Sequence, residues 1–479
     1  MGGPAYQGHS TPRNGAPLKI SLCLAVWART TVECMTLLTT ANRAKTQTRP
    51  GLVLGAALLG FFMMALDSTA LNVALPEIGR DLGGATAGLQ WVMDGYTLMF
   101  AALLISAGAL ADRLGPDRTF AWGLAVFMLA SAASGVAPAM WFLIVARLVQ
   151  GSAAALAMPA SLALVRQAYG DPAARAKAIA RWTMGGAVAI VAGPVAGGVL
   201  TSAVTWRAIF FLNLPTGIVA LFALRAGGAR DPLKASVTTP LDLPGQVSAV
   251  VGLAALTFGI IEDNWPVVGL GIVAGLAFLL AEQRAPAPMV PLGLLRERVV
   301  AICVAVGFVV NAAFYGVVFV LSLFFQRALG LSALDAGLLF LPMSALVSSA
   351  NFASAKAAAR FGPRLPIWTG QLVAALGMLA LTCTTDRYLL AVLLIPVGVG
   401  LGFAIPSMTA MLLEALPASN AGLAAGVLNS GRQAGGTVAV AVLGRLVARS
   451  FSPGLRDSLL ILCLLLAAGA AGAAALRRR

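Results

Sequence analysis

The feature that most constrains this chain is the apolar run near residues 177–201, which carries five glycines and a proline between residues 185 and 200. About 20 apolar residues suffice to cross a bilayer. In a soluble helix each glycine would cost about 1 kcal/mol and the proline about 3 kcal/mol. In a membrane they are tolerated, because neighbouring helices satisfy the freed backbone groups and approach closely over glycine. The run predicts a membrane helix in tight contact with another helix. That contact is either purely structural or one that seals and opens.

The amino-acid composition also indicates a membrane protein. Hydrophobic residues make up 59% of it and charged residues 11%, whereas soluble domains have about 25% charged residues. These values predict an all-α polytopic membrane protein. The net charge of +15 does not predict a nucleic-acid partner, because the basic residues lie in short clusters between apolar runs, as membrane topology requires.

The residue types in the sequence do not indicate a metal-binding or nucleotide-binding site. The single histidine, His9, lies in a polar N-terminal segment, and the five cysteines are scattered without metal-ligand spacing. No phosphate-binding Gly-x-x-x-x-Gly-Lys-Ser/Thr motif occurs. We therefore expect no metal, no cofactor and no nucleotide.

The chain contains fourteen apolar runs of spanning length. They lie near residues 51–73, 88–110, 119–137, 140–164, 177–201, 206–225, 243–262, 266–282, 299–324, 334–356, 365–384, 387–412, 422–446 and 457–475. Fourteen spans put both termini on one side, and 24 of the 33 basic residues then lie on that side. Basic residues accumulate in cytoplasmic loops, so we expect both termini in the cytoplasm.

Three charged residues inside the spans are the main candidates for chemistry: Asp67, Asp94 and Arg147. A charge at mid-span costs roughly 2.5–3.5 kcal/mol on insertion scales, so it usually faces a cavity or a partner. Asp67 either takes up and releases protons or is hydrogen-bonded to neighbouring hydroxyls or amides. Asp94 either lines the same cavity or caps the second span. Arg147 is always protonated, and it either pairs with a carboxylate or snorkels to the membrane edge.

The loop between the second and third spans, GALADRLGPDR (108–118), predicts a structural gate. Gly108 and Gly115 permit a tight turn. Asp112 is placed to pair with Arg113, with Arg118 or with a neighbouring helix end. We expect this loop to control packing and not to contact the substrate.

Several stretches occur together in an order typical of one family. They are ALDSTALNVALP around Asp67, the loop at 108–118, RLVQG at 147–151, AGPVAGG at 192–198, WRAIFFLNLPTG at 206–217 and GLAAGVLNSGRQAGG at 422–436. Over about residues 51–475 the chain resembles the major facilitator superfamily, and within it the fourteen-span drug:proton antiporter branch with its actinobacterial-type antibiotic exporters. Pro116 departs from the loop motif, which usually has a basic residue there.

The resemblance implies the major facilitator fold, with two six-helix bundles, two extra central spans and 14 transmembrane helices. The implied organisation is a disordered cytoplasmic tail at 1–50, a bundle at 51–225, a linker with two extra spans at 226–298, a bundle at 299–475 and a basic cytoplasmic tail at 476–479.

The resemblance also implies roles for residues. Asp67, Arg147 and Asp94 would couple protons. The antiporter motif, which would seal the two halves together, comprises Gly185, Gly193, Pro194, Gly197 and Gly198. The penultimate-span motif comprises Asn429, Arg432 and Gln433. The gate loop comprises Gly108, Asp112, Arg113, Gly115 and Arg118.

The expected function is proton-coupled export of hydrophobic or cationic drugs or antibiotics across a bacterial plasma membrane by alternating access. The expected partners are a small-molecule substrate, protons and membrane lipid. One alternative is a dedicated exporter of a single host metabolite or natural product, and another is a uniporter or uptake permease. No set of catalytic residues is visible, so we do not expect an enzyme.

Overall fold

The computed structural model describes residues 49–228, 242–285, 288–290, 292–416 and 421–476. The expected N-terminal tail lies outside this part except for its last two residues. Most of the loop before the extra spans, 229–241, and the last three basic residues also lie outside it.

The described residues form fourteen helices of at least 18 residues and no strand. The first bundle and the extra pair contain α1 (Pro50–Leu82), α2 (Thr86–Leu114), α3 (Pro116–Gly135), α4 (Met140–Ala168), α5 (Pro172–Ala203), α6 (Arg207–Ala226), α7 (Leu243–Ile261) and α8 (Trp265–Arg284). The remainder contains α9 (Arg298–Leu323), α10 (Ala333–Phe361), α11 (Arg364–Leu381), α12 (Arg387–Glu414), α13 (Ala421–Arg449) and α14 (Phe451–Ala474). A short helix, Leu292–Arg296, precedes α9, and a π-helical turn, Phe324–Ala328, follows it.

Twelve of these helices are long and apolar enough to cross a membrane. The other two are α3 and α13, which lie at two of the predicted spans. In α13 the charged side chains of Arg432, Arg445 and Arg449 dilute the apolar composition. The prediction of a polytopic membrane protein is therefore confirmed, and the count of fourteen spans stays a prediction at α3 and α13.

Local chemistry explains where several helices begin. Pro50, Pro116 and Pro172 each open a helix, where the missing backbone N–H is not needed and the fixed φ suits the helix. Asp171 caps α5 by accepting a hydrogen bond from the backbone N of Ala174 at 2.7 Å, which satisfies one of the free N–H groups of the first turn.

The helices pack as two bundles and one extra pair. In the first bundle α1 packs on α5 and α6, and α4 packs on α2 and α3. In the second bundle α12 packs on α10 and α11, and α9 packs on α13 and α14. The pair α7 and α8 pack on each other, and α7 also contacts α2 and α13. The predicted domain boundaries stay a prediction.

The two bundles meet in one half of the membrane. We call the side on which α1 begins and α2 ends the near side, and the opposite side the far side. In the far half Gln90 Nε2 of α2 donates to the carbonyl oxygens of Val440 at 3.0 Å and Ala441 at 2.8 Å. Ser322 Oγ of α9 donates to the Asn72 carbonyl oxygen of α1 at 2.7 Å.

Apolar side chains also join the two bundles in the far half. A continuous cluster of buried side chains joins the far half of the first bundle to the second bundle and includes Leu75, Ile78, Val92, Phe319 and Phe325. No hydrogen bond between described residues joins the near halves of the two bundles beyond the mid-membrane contact of Ser348 Oγ with the Ala187 carbonyl oxygen, at 3.2 Å. The molecule is therefore closed on the far side.

Candidate functional site

A buried ion pair lies within the first bundle. Arg147 Nη1 of α4 donates to Asp67 Oδ2 of α1 at 2.5 Å, and both side chains are 0% exposed. The two residues are 80 positions apart in the chain. A carboxylate and a guanidinium in contact away from water attract each other strongly, and removing one partner from such a pair typically costs about 3–5 kcal/mol. Arg147 does not snorkel to the membrane edge, so that alternative is wrong.

Amide groups complete the coordination of Asp67. Its Oδ1 accepts from Asn213 Nδ2 of α6 at 2.8 Å and from Gln150 Nε2 of α4 at 3.1 Å. Asn213 Nδ2 also donates to Ser131 Oγ of α3 at 2.9 Å, and Gln150 Oε1 accepts from Arg147 Nη1 at 2.7 Å. The carboxylate on α1 is thus bonded directly by side chains of two other helices, α4 and α6, and Ser131 of α3 contacts the α6 amide. Asp67 is therefore bonded to amides, as one interpretation expected, and is also ion-paired. Uptake and release of protons by Asp67 stays a prediction.

Close helix packing fixes the position of Arg147. Its Nε donates to the Val92 carbonyl oxygen at 3.2 Å, and its guanidinium carbon lies 4.5 Å from the centre of the Tyr96 ring. A cation over an aromatic face is attracted by about 0.5–2 kcal/mol. A Cβ at Gly151, one turn further along α4, would lie 2.8 Å from the Tyr96 Cα. Glycine at this position therefore permits α2 and α4 to approach closely beside the arginine.

Asp94 lies in α2, eight residues after its first residue, and is fully buried. It is therefore not an exposed cap of the second span. Neither carboxylate oxygen has a hydrogen-bond partner among the described residues. Gln90 lies one turn before Asp94 and donates to backbone carbonyls of α13. Thr97 lies one turn after Asp94, and its Oγ1 accepts a hydrogen bond from Thr437 Oγ1 of α13 at 3.0 Å. Helical periodicity places Asp94 on the same face, at the seam between the bundles.

The glycines of α5 face two different helices. A Cβ at Gly185 would lie 2.8 Å from Leu58 Cγ of α1, and Cβ atoms at Gly193 and Gly197 would collide with Thr69 and Ala70 of α1. These glycines fasten α5 within the first bundle.

The opposite face of α5 meets the second bundle. A Cβ at Gly198 would lie 2.7 Å from the Ala333 carbonyl oxygen of α10, and Gly337 of α10 packs on the Pro194 carbonyl. Of the five predicted motif residues, only Pro194 and Gly198 contact the second bundle in this way.

Residues 108–118 comprise the end of α2, Gly115 and the start of α3, so only Gly115 lies in the turn that the sequence predicted. Gly115 has φ +92°, which side-chain-bearing residues rarely adopt, whereas Gly108 is helical with open space around it. Asp112 is attracted electrostatically by Arg166 in the last turn of α4. The end of a neighbouring helix is thus one source of positive charge near Asp112.

The penultimate-span motif packs on α9. Arg432 Nε donates to Asn311 Oδ1 at 3.3 Å, and Arg432 Nη1 donates to Asn429 Oδ1 at 3.4 Å. Gln433 Oε1 is buried without a hydrogen-bond partner among the described residues. The structure brings Arg432 and Asn429 together and leaves Gln433 outside that contact.

Sequence reasoning missed three residues that the structure brings into these contacts: Asn213, Ser131 and Gln90. Asn213 had a signal, because it is an amide inside the apolar run IFFLNLP. Ser131 had none, since serines are common in membrane helices, and Gln90 lay at a predicted span edge. Their partners are distant in the chain, so spacing could not identify them.

Comparison with known proteins identifies the family of this chain. The model of the Major Facilitator Superfamily matches residues 57–440. The methylenomycin A resistance protein of Streptomyces coelicolor is 37% identical over 82% of this chain and 85% of its own length. The multidrug resistance protein Stp of Mycobacterium tuberculosis is 34% identical over 85% of this chain and 78% of its own length.

A third relative, the tetracenomycin C resistance and export protein of Streptomyces glaucescens, is 32% identical over 84% of this chain and 76% of its own length. Among solved structures, the chain is similar to an inward-facing bacterial homologue of the human lysosomal transporter Spinster. The TM-score is 0.66 at 16% identity, over 89% of this chain and 97% of that one. This likeness concerns the fold alone. The chain belongs to the major facilitator superfamily, in the branch with drug and antibiotic resistance proteins, and is a multi-pass membrane transporter and not an enzyme.

Proposed function

We propose that this protein is a proton-coupled antiporter that exports hydrophobic or cationic drugs or antibiotics across the bacterial plasma membrane by alternating access. The single observation that carries the proposal is the buried pair of Asp67 and Arg147, in which side chains of α4 and α6 bond the carboxylate of α1. The curated relatives named for resistance and export support the substrate class.

The proposed topology has fourteen spans with both termini in the cytoplasm. The near side is then cytoplasmic, because the basic clusters of the sequence fall there. The α2–α13 and α5–α10 contacts in the far half would seal the external side. The conformation described here is accordingly the one that opens to the cytoplasm.

Proton coupling would work through the charge of Asp67. When Asp67 is ionised, Arg147 is held by the carboxylate and by Gln150. A proton on Asp67 removes the Coulomb attraction and leaves Arg147 with neutral acceptors, so the arginine would move and the helices that carry it would repack. One charge crossing 100 mV yields about 2.3 kcal/mol, which is comparable to the cost of breaking a buried pair.

Asp94 would be the second protonation site. Its carboxylate is buried at the α2–α13 seam without a partner among the described residues. A charge there would be costly, so we infer that Asp94 carries a proton while this seam is closed. Loss of that proton would favour separation of the bundles on the far side.

The two sets of small residues in α5 would have different roles in the conformational change. Gly185, Gly193 and Gly197 hold α5 on α1, so this pair would move as one unit. Gly198 and Pro194, against α10, would form the contact that opens and seals. The 108–118 turn and the Arg432 cluster would shape the near side and the second bundle.

The test is proton flux in inside-out vesicles that are acidified by respiration and monitored with a pH-sensitive dye. Addition of several unrelated cationic dyes and antibiotics should release protons through the wild-type protein. Asp67→Asn and Arg147→Gln should abolish the response. Glu77→Gln, which removes a surface ion pair with Arg80 on the same helix, is the matched control and should retain it.

Three outcomes of this experiment would contradict the proposal or favour an alternative. Unchanged coupling in Asp67→Asn protein, present at wild-type level in the membrane, would refute the assigned role of Asp67. A response to one compound only would favour the dedicated exporter of a single metabolite. Substrate movement without any proton movement would favour the uniporter.

A further inference from the structure

A cavity of about 170 Å³ lies in the near half of the molecule, between the first bundle and the extra helices. Its walls include Leu103 and Ala107 of α2, Leu156 of α4, and Asp242 and Leu243 at the start of α7. An engineered apolar cavity of about 150 Å³ binds benzene. This cavity therefore has room for one ring-sized apolar group.

Two buried carboxylates lie at one end of this region. Asp242 is 9% exposed and Glu282 of α8 is 3% exposed. Asp242 Oδ1 accepts from the Gly245 backbone N at 2.8 Å, and Glu282 Oε2 accepts from the Val290 backbone N at 2.9 Å. The other oxygens, Asp242 Oδ2 and Glu282 Oε1, are buried and have no hydrogen-bond partner among the described residues.

Both free oxygens lie beside Gly245. A Cβ at Gly245 would lie 2.5 Å from Asp242 Oδ2 and 3.0 Å from Glu282 Oε1. Two carboxylates close together repel each other, and an opposite charge beside them stabilises the ionised forms. Among the described residues no side chain bonds to these two oxygens, and Asp242 also lines the apolar cavity.

We propose that this cavity binds a lipophilic ammonium cation, with the apolar group between α2 and α4 and the cationic group against Asp242, which lines the cavity and lies near Glu282. A metal ion fits less well, because the described residues hold no group of three or more His, Cys, Asp or Glu side chains that could bind one, whereas divalent cations take six or more oxygen ligands. An organic cation uses both the apolar walls and the free oxygens.

The site gives the extra helices a role. Asp242 and Glu282 lie on α7 and α8, whereas the apolar wall comes from the first bundle. The place of this site in transport rests on the proposed function, in which the near side is cytoplasmic and the cavity collects cations before export. Binding itself does not depend on proton coupling.

The experiment measures binding of benzyltrimethylammonium to the purified full chain by isothermal titration calorimetry. Neopentylbenzene, its uncharged isostere, serves as the ligand control. Asp242→Asn and Glu282→Gln should each weaken binding of the cation by about tenfold or more, because each replaces a negative charge by a neutral amide and so removes part of the Coulomb attraction for the quaternary ammonium. Asparagine caps helices as well as aspartate does, so Asp242→Asn should preserve α7.

Asp171→Asn is the matched protein control, because Asp171 caps α5 in the same way and does not line the cavity. It should bind the probe as the wild type does. Ala107→Phe fills the cavity without altering either carboxylate, and it should also abolish binding while the protein stays monodisperse in size-exclusion chromatography.

Equal affinity for the charged and uncharged probes would overturn the proposal, as would wild-type affinity in both carboxylate variants. Asp67→Asn protein should still bind the probe. Because no proton flux is measured, failure of the coupling proposal leaves this result unaffected, and failure of this site leaves the vesicle assay unaffected.

Discussion

Gly197 and Gly198 are adjacent in α5, yet an added methyl group at each should have a different consequence. A Cβ at Gly197 would collide with the Ala70 backbone of α1, inside the first bundle. A Cβ at Gly198 would lie 2.7 Å from the Ala333 carbonyl oxygen and 2.8 Å from the Leu334 Cα of α10, in the second bundle. Gly197→Ala should therefore strain the bundle in every conformation, whereas Gly198→Ala should strain only the far-side-closed one.

The magnitude follows from the type of contact. Both neighbours are backbone atoms, which cannot rotate away, so overpacking should cost about 1–3 kcal/mol. The gain in helix propensity from Gly→Ala, about 1 kcal/mol, applies to both conformations and cancels from their ratio. Gly198→Ala should then shift the equilibrium away from far-side closure by about 5- to 150-fold.

Double electron–electron resonance can measure this shift. Spin labels at Ala85→Cys and Thr385→Cys, in a background without the native cysteines, report the distance between far-side loops of the two bundles. Both positions are exposed. The otherwise wild-type protein should show one short-distance population, and Gly198→Ala should add a longer one. Gly197→Ala should keep the wild-type distances and lower the thermal stability.

An unchanged distance distribution in folded, labelled Gly198→Ala protein would refute the role of the Gly198 contact in far-side closure. The same long-distance population in Gly197→Ala protein would also refute it, because the two faces of α5 would then not act separately.

Three further predictions concern other contacts. Gly115→Ala should destabilise the protein by about 1–3 kcal/mol, because φ is +92° at this position. Gly108 lies in open space within a helix, so Gly108→Ala should not destabilise the protein. Differential scanning fluorimetry measures both effects. Gln90→Leu removes two hydrogen bonds from α2 to backbone carbonyls of α13. Each is worth about 0.5–1.5 kcal/mol net, so the change should weaken far-side closure by about 1–3 kcal/mol and increase the long-distance population. Asp263→Asn removes partly exposed ion pairs to Arg445 and Arg449 of α13, so its effect on the melting transition should stay below about 1 kcal/mol; a larger loss would mean that this turn stabilises the bundle interface.

The sequence determined the helical architecture because membrane helices form their backbone hydrogen bonds locally. Apolar runs therefore marked the helices, although several ends moved: α1 continues to Leu82, beyond the predicted end at residue 73. Charged residues in lipid are costly wherever they lie, so Asp67, Asp94 and Arg147 could be selected without knowing their partners. The glycines of α5 likewise indicated close packing.

Tertiary structure alone decided which helix each side chain faces. Spacing does not predict that Asp67 meets Arg147 across 80 residues, or that Asn213 and Ser131 complete the same network. Nor does it predict that Gly197 faces α1 while Gly198 faces α10, or that Asp242 and Glu282 both lie beside Gly245. The physical reason is that apolar helices have no strong pattern of their own to specify a partner in lipid, so shape and buried polar contacts select it.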